Sequence, residues 1–551
     1  MSEQPQLIQR SWLQPVLSPE EAAAWERQLF AKDPAAEEQA LRKAGASLGA
    51  AILHDFNEIQ PLPRDPRILI LAGKGHNTGD ALIAATTLLR TRPRGKIAII
   101  FAFGEAHLRP LAQLVLAELL QDFGEATHLH YLQESASESD VSKILAQLAR
   151  EVGGAFDLCL DGVLGMNFKP PVRAPVDALL AAVNAAPTVT VRVAVDLPSG
   201  THAELTEGTP CFQPDFTYAT GIAKSVLFTP RVTAKAARIR YLDLGFFDEA
   251  PALEWDTARP LVVADRCLAN LGKPRAASTD KRDYGHLMVI GGSRQMPGAA
   301  LMNVRAALQA GAGLVTAFVP ESIQPAFAAA CPEAMWVPCP ETPDGHLSKE
   351  SWFFIEQRIG KAHGLVAGSG LGTSDETAEL LGRVLSEYTL PTVLDADALQ
   401  PEILNCIETD PKEPLILTPH LGEYNRLTGS QTPETVTDVM LRAFAIACGG
   451  ARLVTCLLKG QVTRVSNGEL VANVLAGGPV QARGGSGDLL AGIIGALLVR
   501  LGPEKAFDAA CIGAHWLGKA AQALARARGE NAVRTTEVLE QLHTPLRELR
   551  R

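Results

Sequence analysis

Two acids stand directly after glycine-rich turns. The stretch "ARGGSGDLLAGIIGALL", from Ala482 to Leu498, sets Asp488 after a run of glycines and before an apolar helix. "LAGKGHNTGDALIAATTLL" delivers Asp80 in the same way. Glycines let an anion approach the backbone, and a helix N-terminus offers unpaired N–H groups and partial positive charge. Both loops therefore predict sites for phosphate. A nucleotide-hydrolysing phosphate loop would deliver lysine, and no G-x-x-x-x-G-K-[ST] occurs, which excludes that class. The first loop is spaced G-x-G-x-x-x-G, a poor match to the dinucleotide fingerprint. A carboxylate in this position points to proton transfer: the backbone holds phosphate while the acid takes a proton from an attacking hydroxyl. Beside a helix N-terminus, Asp488 is expected to stay ionised. An isolated G-x-G-D is equally well an aspartate cap on a flexible turn, so the surrounding segments must decide.

Those segments alternate. "SPEEAAAWERQLF" reads as a helix with Ser18 as N-cap, Pro19 in the first turn and Glu21 closing a capping box. A second helix is expected from about Ala36. "RILILAG", "KIAIIFAF", "FDLCLDGVLG", "VTVRVAVDLPSG" and "DFTYATG" read as buried strands with their exit loops. Strands alternating with helices imply a mostly parallel sheet, which binds ligands at the carboxyl ends of its strands. Asp80, Asp161 and Asp196 fall there. The alternation breaks near "YLDLGFFDEAPALEWDTARP" and resumes with "HLMVIGGS", "LVTAFVP", "GLVAGSG", "PTVLDADAL", "PLILTPH" and "ARLVTCLLKG". The expected organisation is two different α/β domains, residues 1–249 and 261–551, joined by a linker at 250–260.

The second domain carries an ordered series: "HLMVIGGSRQMPGAALMNVRAALQAGAGLVT", "GSGLG", "VLDADAL", "ILTPHLGEYNRL", "LLKGQVT" and "GGSGDLLAGIIGALL". This series resembles the ADP-dependent NAD(P)H-hydrate dehydratases, which have the ribokinase-like α/β fold. The resemblance implies that Lys459, Gly460, Gln461, Val462, Thr463 and Gly487 contact ADP or AMP. It places Ala299, Gly370, His420 and Asp488 around a hydrated nicotinamide, with Mg2+ accompanying the nucleotide. The implied chemistry moves a phosphoryl group from ADP to the ring hydroxyl, leaving AMP. The ring nitrogen then expels phosphate, a far better leaving group than hydroxide, and NAD(P)H is restored. Asp488 would be the general base. Taken singly, Lys459 is a solvated strand-end lysine and His420 a turn or cap residue. Family members often read "GGTGD" where this chain reads "RGGSGD", and the purpose of Arg483 does not follow from sequence.

The first domain's "LAGKGHNTGDA", "LDGVLGMNFKPP" and "AVDLPSG" are similar to the NAD(P)H-hydrate epimerases, of Rossmann-like three-layer fold. This similarity assigns His76, Asn77, Thr78, Gly79 and Asp80, the run Gly165, Met166, Asn167, Phe168, Lys169, Pro170 and Pro171, and Asp196 to the substrate. Asp196 would shuttle the proton as hydroxyl leaves and returns. Asn77, Asp161 and Ser199 would hold K+, and three oxygen-bearing side chains suit a hard monovalent cation. His76, Thr78 and Ala81 depart from the usual "GNNGGDG". Thr78 sets a β-branched residue where positive φ is expected of the backbone, which is costly.

Composition is consistent with these readings. The 551 residues suit two to four domains, and 47% apolar with 5% aromatic residues suits α/β layers. A net charge of −10 argues against nucleic-acid or anionic-membrane partners. Nine scattered cysteines without C-x-x-C pairs read as reduced, buried thiols. "MSEQPQLIQRSW" has no basic-then-apolar pattern, so a cytoplasmic location is expected. The resemblance implies a homo-oligomer acting on small molecules: hydrated NADH or NADPH, and ADP. The alternative is a vitamin-type kinase on the ribokinase-like scaffold, with the first domain inactive or merely ligand-binding.

Overall fold

The structure is a computed structural model. It describes all residues except 1–9, 32, 34, 249–258, 408–412, 431–434, 450–452 and 550–551. The chain forms two compact units, Met1–Glu254 and Trp255–Arg551. Most of the expected linker lies outside the described residues, and its last residue, Pro260, already begins the strand Pro260–Val263.

The first unit contains a seven-stranded, wholly parallel sheet. Across the sheet the strands run Thr127–Tyr131, Lys96–Phe101, Arg67–Ala72, Phe156–Gly162, Val189–Val195, Phe216–Thr220 and Arg238–Leu242. Ile68, Ile70 and Ala72 face one core with Leu41, Leu48, Leu82 and Leu88 from the helices Ala36–Asp55 and His76–Thr91. Leu69 and Leu71 face the other, with Val141, Leu145, Leu179 and Val183. Both faces are covered, so these strands are continuously apolar rather than alternating. Strand order reverses between Arg67–Ala72 and Phe156–Gly162, the crevice where doubly wound sheets bind ligands. The first glycine loop leaves one of these strands and Asp161 lies at the end of the other, in register with Leu71. The opening helix Pro19–Phe30 has the expected capping box between Ser18 and Glu21.

The second unit repeats this winding. The strands Met335–Cys339, Leu314–Pro320, His286–Ile290, Gly364–Ala367, Thr392–Leu394, Leu415–Leu417 and Val454–Leu458 are parallel neighbours in that order. Antiparallel Thr463–Ser466 and Val471–Val474 follow, and Pro260–Val263 pairs parallel with the latter. The reversal falls between His286–Ile290 and Gly364–Ala367. The helix Ser486–Leu501 starts at the second glycine loop and packs on the helix Pro297–Gln309. A Cβ at Gly492 would come within 2.2 Å of the Asn303 carbonyl oxygen, so glycine there permits the close approach. Among the described residues no helix is long and apolar enough to cross a membrane.

Candidate active sites

In the first unit, His76–Thr91 is helical from its first residue. His76, Asn77, Thr78, Gly79 and Asp80 therefore form its opening turn rather than a preceding loop. This corrects the expectation for Thr78, which needs no positive φ. Its Oγ1 accepts from the Gly73 N–H at 2.8 Å and donates to the Gly162 carbonyl at 3.0 Å. The hydroxyl ties the glycine turn to the neighbouring strand end, and the residue is fully buried. Gly73 itself is obligatory, since a Cβ would lie 1.9 Å from the Val163 oxygen. His76 Nε2 stands 3.2 Å from Glu37 Oε1. Burial pulls the imidazole's pKa down, nearby Arg109 adds to this, and Glu37 opposes it.

Asp161 is fully buried. It accepts from the Ser199 hydroxyl at 2.6 Å, the Ser199 N–H at 2.8 Å and the Val163 N–H at 3.2 Å. Burial nevertheless pushes its carboxyl up to about 6. Asn77 donates to the Val195 carbonyl at 2.9 Å, and its side chain lies 3.0 Å from where a Gly165 Cβ would stand. Among the described residues Asp161 makes no ion pair. A buried carboxylate beside amide and hydroxyl oxygens fits a hard monovalent ion. Gly165 lies against this cluster, whereas Asn167, Lys169, Pro170 and Pro171 are exposed on the following loop and Met166 and Phe168 are half-buried there.

Asp196 follows the strand Val189–Val195 with φ of 67°, a left-handed conformation that a side chain rarely adopts and that clusters at functional sites. It directs Oδ1 to Lys224 Nζ at 2.5 Å, the two side chains being 6% and 2% exposed. The sequence reading missed Lys224. The available signal was a lone lysine inside the apolar run "GIAKSVLF", where burial requires a partner. A cavity of about 60 Å³ beside this pair is lined by Glu26, Phe30, Glu37, His76, Asp80, Thr220 and Phe246 among others.

In the second unit, Gly485 at φ of 89° caps the helix Ser486–Leu501 without a side chain, and the Ser486 N–H donates to the Arg483 carbonyl at 3.3 Å. Asp488 lies in the helix's first turn. The sequence expects Asp488 to stay ionised, and its surroundings shift its carboxyl upward. Burial raises it and Asp395 raises it further, with Ser369 and Lys459 opposing; these outweigh the helix end. Lys459 follows the strand Val454–Leu458, and its Nζ donates to Asp395 Oδ1 at 2.8 Å and lies 3.5 Å from Glu423 Oε2. Burial lowers the ammonium's pKa, but Asp395 and Glu423 more than offset this, so the net shift is upward. A Cβ on Gly487 would meet Lys459 Nζ at 3.4 Å. Gly487, Asp488 and Lys459 are thus brought together.

Gly370, at φ of 64°, abuts Ala299, and a Cβ there would lie 2.7 Å from the alanine methyl. His420 is the N-cap of the helix Leu421–Thr428, with Nδ1 accepting from the Glu423 N–H at 3.1 Å. It also bridges to Lys459. Gly460, Gln461 and Val462 make the turn from Lys459 to Thr463, where the next strand begins. Arg483, opaque in the sequence, donates to the Glu530 and Asn531 carbonyls at 2.7 and 3.0 Å, anchoring the glycine loop to the end of the helix Ala506–Arg528. Asp395, Glu423, Ser369 and Asn303, whose Nδ2 donates to Ser369 Oγ at 3.1 Å, received no role from sequence. Asp395 ends a strand in "VLDADAL", the same signal that marked Asp196.

Fold and sites together define a two-unit α/β enzyme with a glycine-loop acid at the ligand crevice of each unit. Residues 287–544 match the model of the NAD(P)H-hydrate dehydratase family and residues 37–226 that of the YjeF-related protein N-terminus. The chain is 33% identical over 495 residues to the bifunctional NAD(P)H-hydrate repair enzyme Nnr of Moorella thermoacetica, covering 88% of each. It is also 33% identical over 500 residues to that of Gloeobacter violaceus, again 88% of each. A solved structure of Bacillus subtilis ADP/ATP-dependent NAD(P)H-hydrate dehydratase aligns at 24% identity with a TM-score of 0.42, covering 50% of this chain and 93% of that one. The chain belongs to the family of bifunctional NAD(P)H-hydrate repair enzymes.

Proposed function

We propose that each unit carries out one step of the repair of hydrated NADH and NADPH. The second unit dehydrates the S epimer at the expense of ADP, releasing AMP and phosphate, and the first interconverts the R and S epimers. In the second site the N–H groups of Gly487 and Asp488 and the Lys459 ammonium receive phosphates. Asp488 takes the proton from the ring hydroxyl as it attacks phosphorus. Its raised pKa makes it a stronger base once ionised. Neutralisation of phosphate charge during transfer would be supplied by Mg2+ bound with the nucleotide. Ala299, Gly370 and His420 border the nicotinamide, and Lys459 to Thr463 border the nucleotide. The carrying observation is Asp488, Gly487 and Lys459 gathered around one helix N-terminus.

In the first site, K+ would neutralise Asp161 and brace the ends of two strands through Asn77 and Ser199. Asp196 forms an ion pair with Lys224, which suits it to accept the proton that water gives up on adding to the ring. This narrows the shuttle reading of Asp196 to its basic half. The protein acts on small molecules from solution as a homo-oligomer in the cytoplasm. ADP-dependent recovery of reduced-nicotinamide absorbance from pure S epimer tests the second site. R-to-S conversion without nucleotide tests the first. A vitamin-type kinase would do neither.

A further inference from the structure

With Asp196 committed to the Lys224 ammonium, the departing hydroxyl still needs a proton. Asp80, on the first glycine loop, is 6% exposed and its Oδ1 is buried with no hydrogen-bond partner. Asp80 and Glu26 line the same cavity, together with Glu37 and His76. The groups that act on Asp80 are Asp196, Lys224 and Glu26. Arg109, an exposed residue, and Glu37 act on Glu26. The buried part of this cluster thus holds three carboxyl groups and one ammonium, and Lys224 is already committed to Asp196 at 2.5 Å. Three anions against one cation in a water-poor cavity repel, and the cheapest relief is to keep a proton on the acid that has no partner. Burial is the largest cause raising Asp80, with Asp196 and Glu26 adding to it and Lys224 opposing. Burial also raises Glu26.

We propose that Asp80 is the proton donor of the epimerase site, a role that rests on the epimerase reading above, with Glu26 as the positioning residue that keeps it protonated. The ring C–O bond breaks as the lone pair of the ring nitrogen forms a C=N+ bond. The Asp80 proton passes to the leaving oxygen, which departs as water. Water then adds to the other face of the cation, and its surplus proton returns to Asp80 by way of Asp196, so the enzyme ends unchanged.

The test is the pH dependence of R-to-S interconversion in the full chain. A donor must be protonated, so activity falls as pH rises through the pKa of Asp80. Asp80→Asn keeps shape and donor capacity but has no proton to give. It is expected to lower kcat about 10²–10⁴-fold with KM within a few-fold, and to abolish that basic limb. Glu26→Gln removes one neighbouring negative charge, so the limb moves to lower pH. Folding raises the pKa of Asp80, and a carboxyl so affected costs stability as pH climbs above its unfolded value. Asp80→Asn therefore leaves the melting temperature at neutral pH equal or higher. Retention of kcat in Asp80→Asn, or a limb unmoved by Glu26→Gln, overturns the assignment while parent activity keeps the epimerase reading standing. If the parent chain does not interconvert the epimers, both fall together.

Discussion

The two sites are built from the same parts and differ in how tightly those parts are enclosed. Each has a glycine-loop acid in the first turns of a helix, Asp80 and Asp488, and a strand-end aspartate paired with a lysine. The pairs are Asp196 with Lys224 at 2.5 Å and Asp395 with Lys459 at 2.8 Å. In each the residue at the strand end departs from ordinary backbone: Asp196 has φ of 67°, and Ala396, next to Asp395, has φ of 51°. In each the glycine-loop acid is raised by burial and then by the paired aspartate. Lys224 is 2% exposed and Lys459 21%. Both sites must receive the hydrated coenzyme, and the more open one would also admit ADP. In the roles proposed above, the glycine-loop carboxyl is a donor in the first unit and a base in the second.

The largest expected effect separates the two activities. Asp488→Asn lowers ADP-dependent dehydration of the S epimer by about 10²–10⁴-fold and leaves R-to-S conversion intact, both followed on pure epimers. The pH profiles should then oppose each other. A base works ionised, so dehydration fails as pH falls through the raised pKa of Asp488, whereas interconversion fails on the basic side. Two profiles with the same limb would break the comparison.

Next comes stability. Lys224→Met strands a buried carboxylate and should cost about 3–5 kcal/mol in urea unfolding. Lys459→Met should cost less, because solvent reaches that pair. Equal losses would mean that enclosure is not what distinguishes the sites. Thr78→Val keeps the shape but leaves the buried Gly73 N–H without its acceptor, at a cost of about 1–3 kcal/mol in the same measurement. Arg483→Ala has the smallest effect. Its bonds are exposed, so stability should change by about 1 kcal/mol or less, with a modest rise in KM for ADP as the glycine loop loses its anchor.

How legible this was in the sequence differs between fold and site. The buried parallel strands announce themselves as apolar runs, and the capping box at Ser18 and Glu21 fixes the first helix. The strand Thr127–Tyr131 is half-exposed at the sheet edge and has no such run. The hairpin Thr463–Val474 turns at Asn467–Gly468, with Gly468 at φ of 88°, a signal that apolar runs alone do not reveal. The acids of the glycine loops were visible because their neighbours are distinctive. Lys224, Asp395 and Glu26 were not, because their chemistry comes from enclosure and from partners distant in the chain: Lys224 pairs across 28 residues and Lys459 across 64. Thr78 looked like a liability from its residue type. In the fold its hydroxyl replaces backbone contacts at a turn, which only the three-dimensional arrangement reveals.

The central claim is that two separate acid-bearing sites act in series on one damaged coenzyme. Its most direct test is the initial rate of reduced-nicotinamide recovery from pure R epimer and ADP, compared among the parent chain, Asp196→Asn and Asp488→Asn. The account predicts recovery by the parent, R-to-S conversion without recovery by Asp488→Asn, and recovery from S but not from R by Asp196→Asn. Undiminished recovery from the R epimer by Asp196→Asn would contradict it.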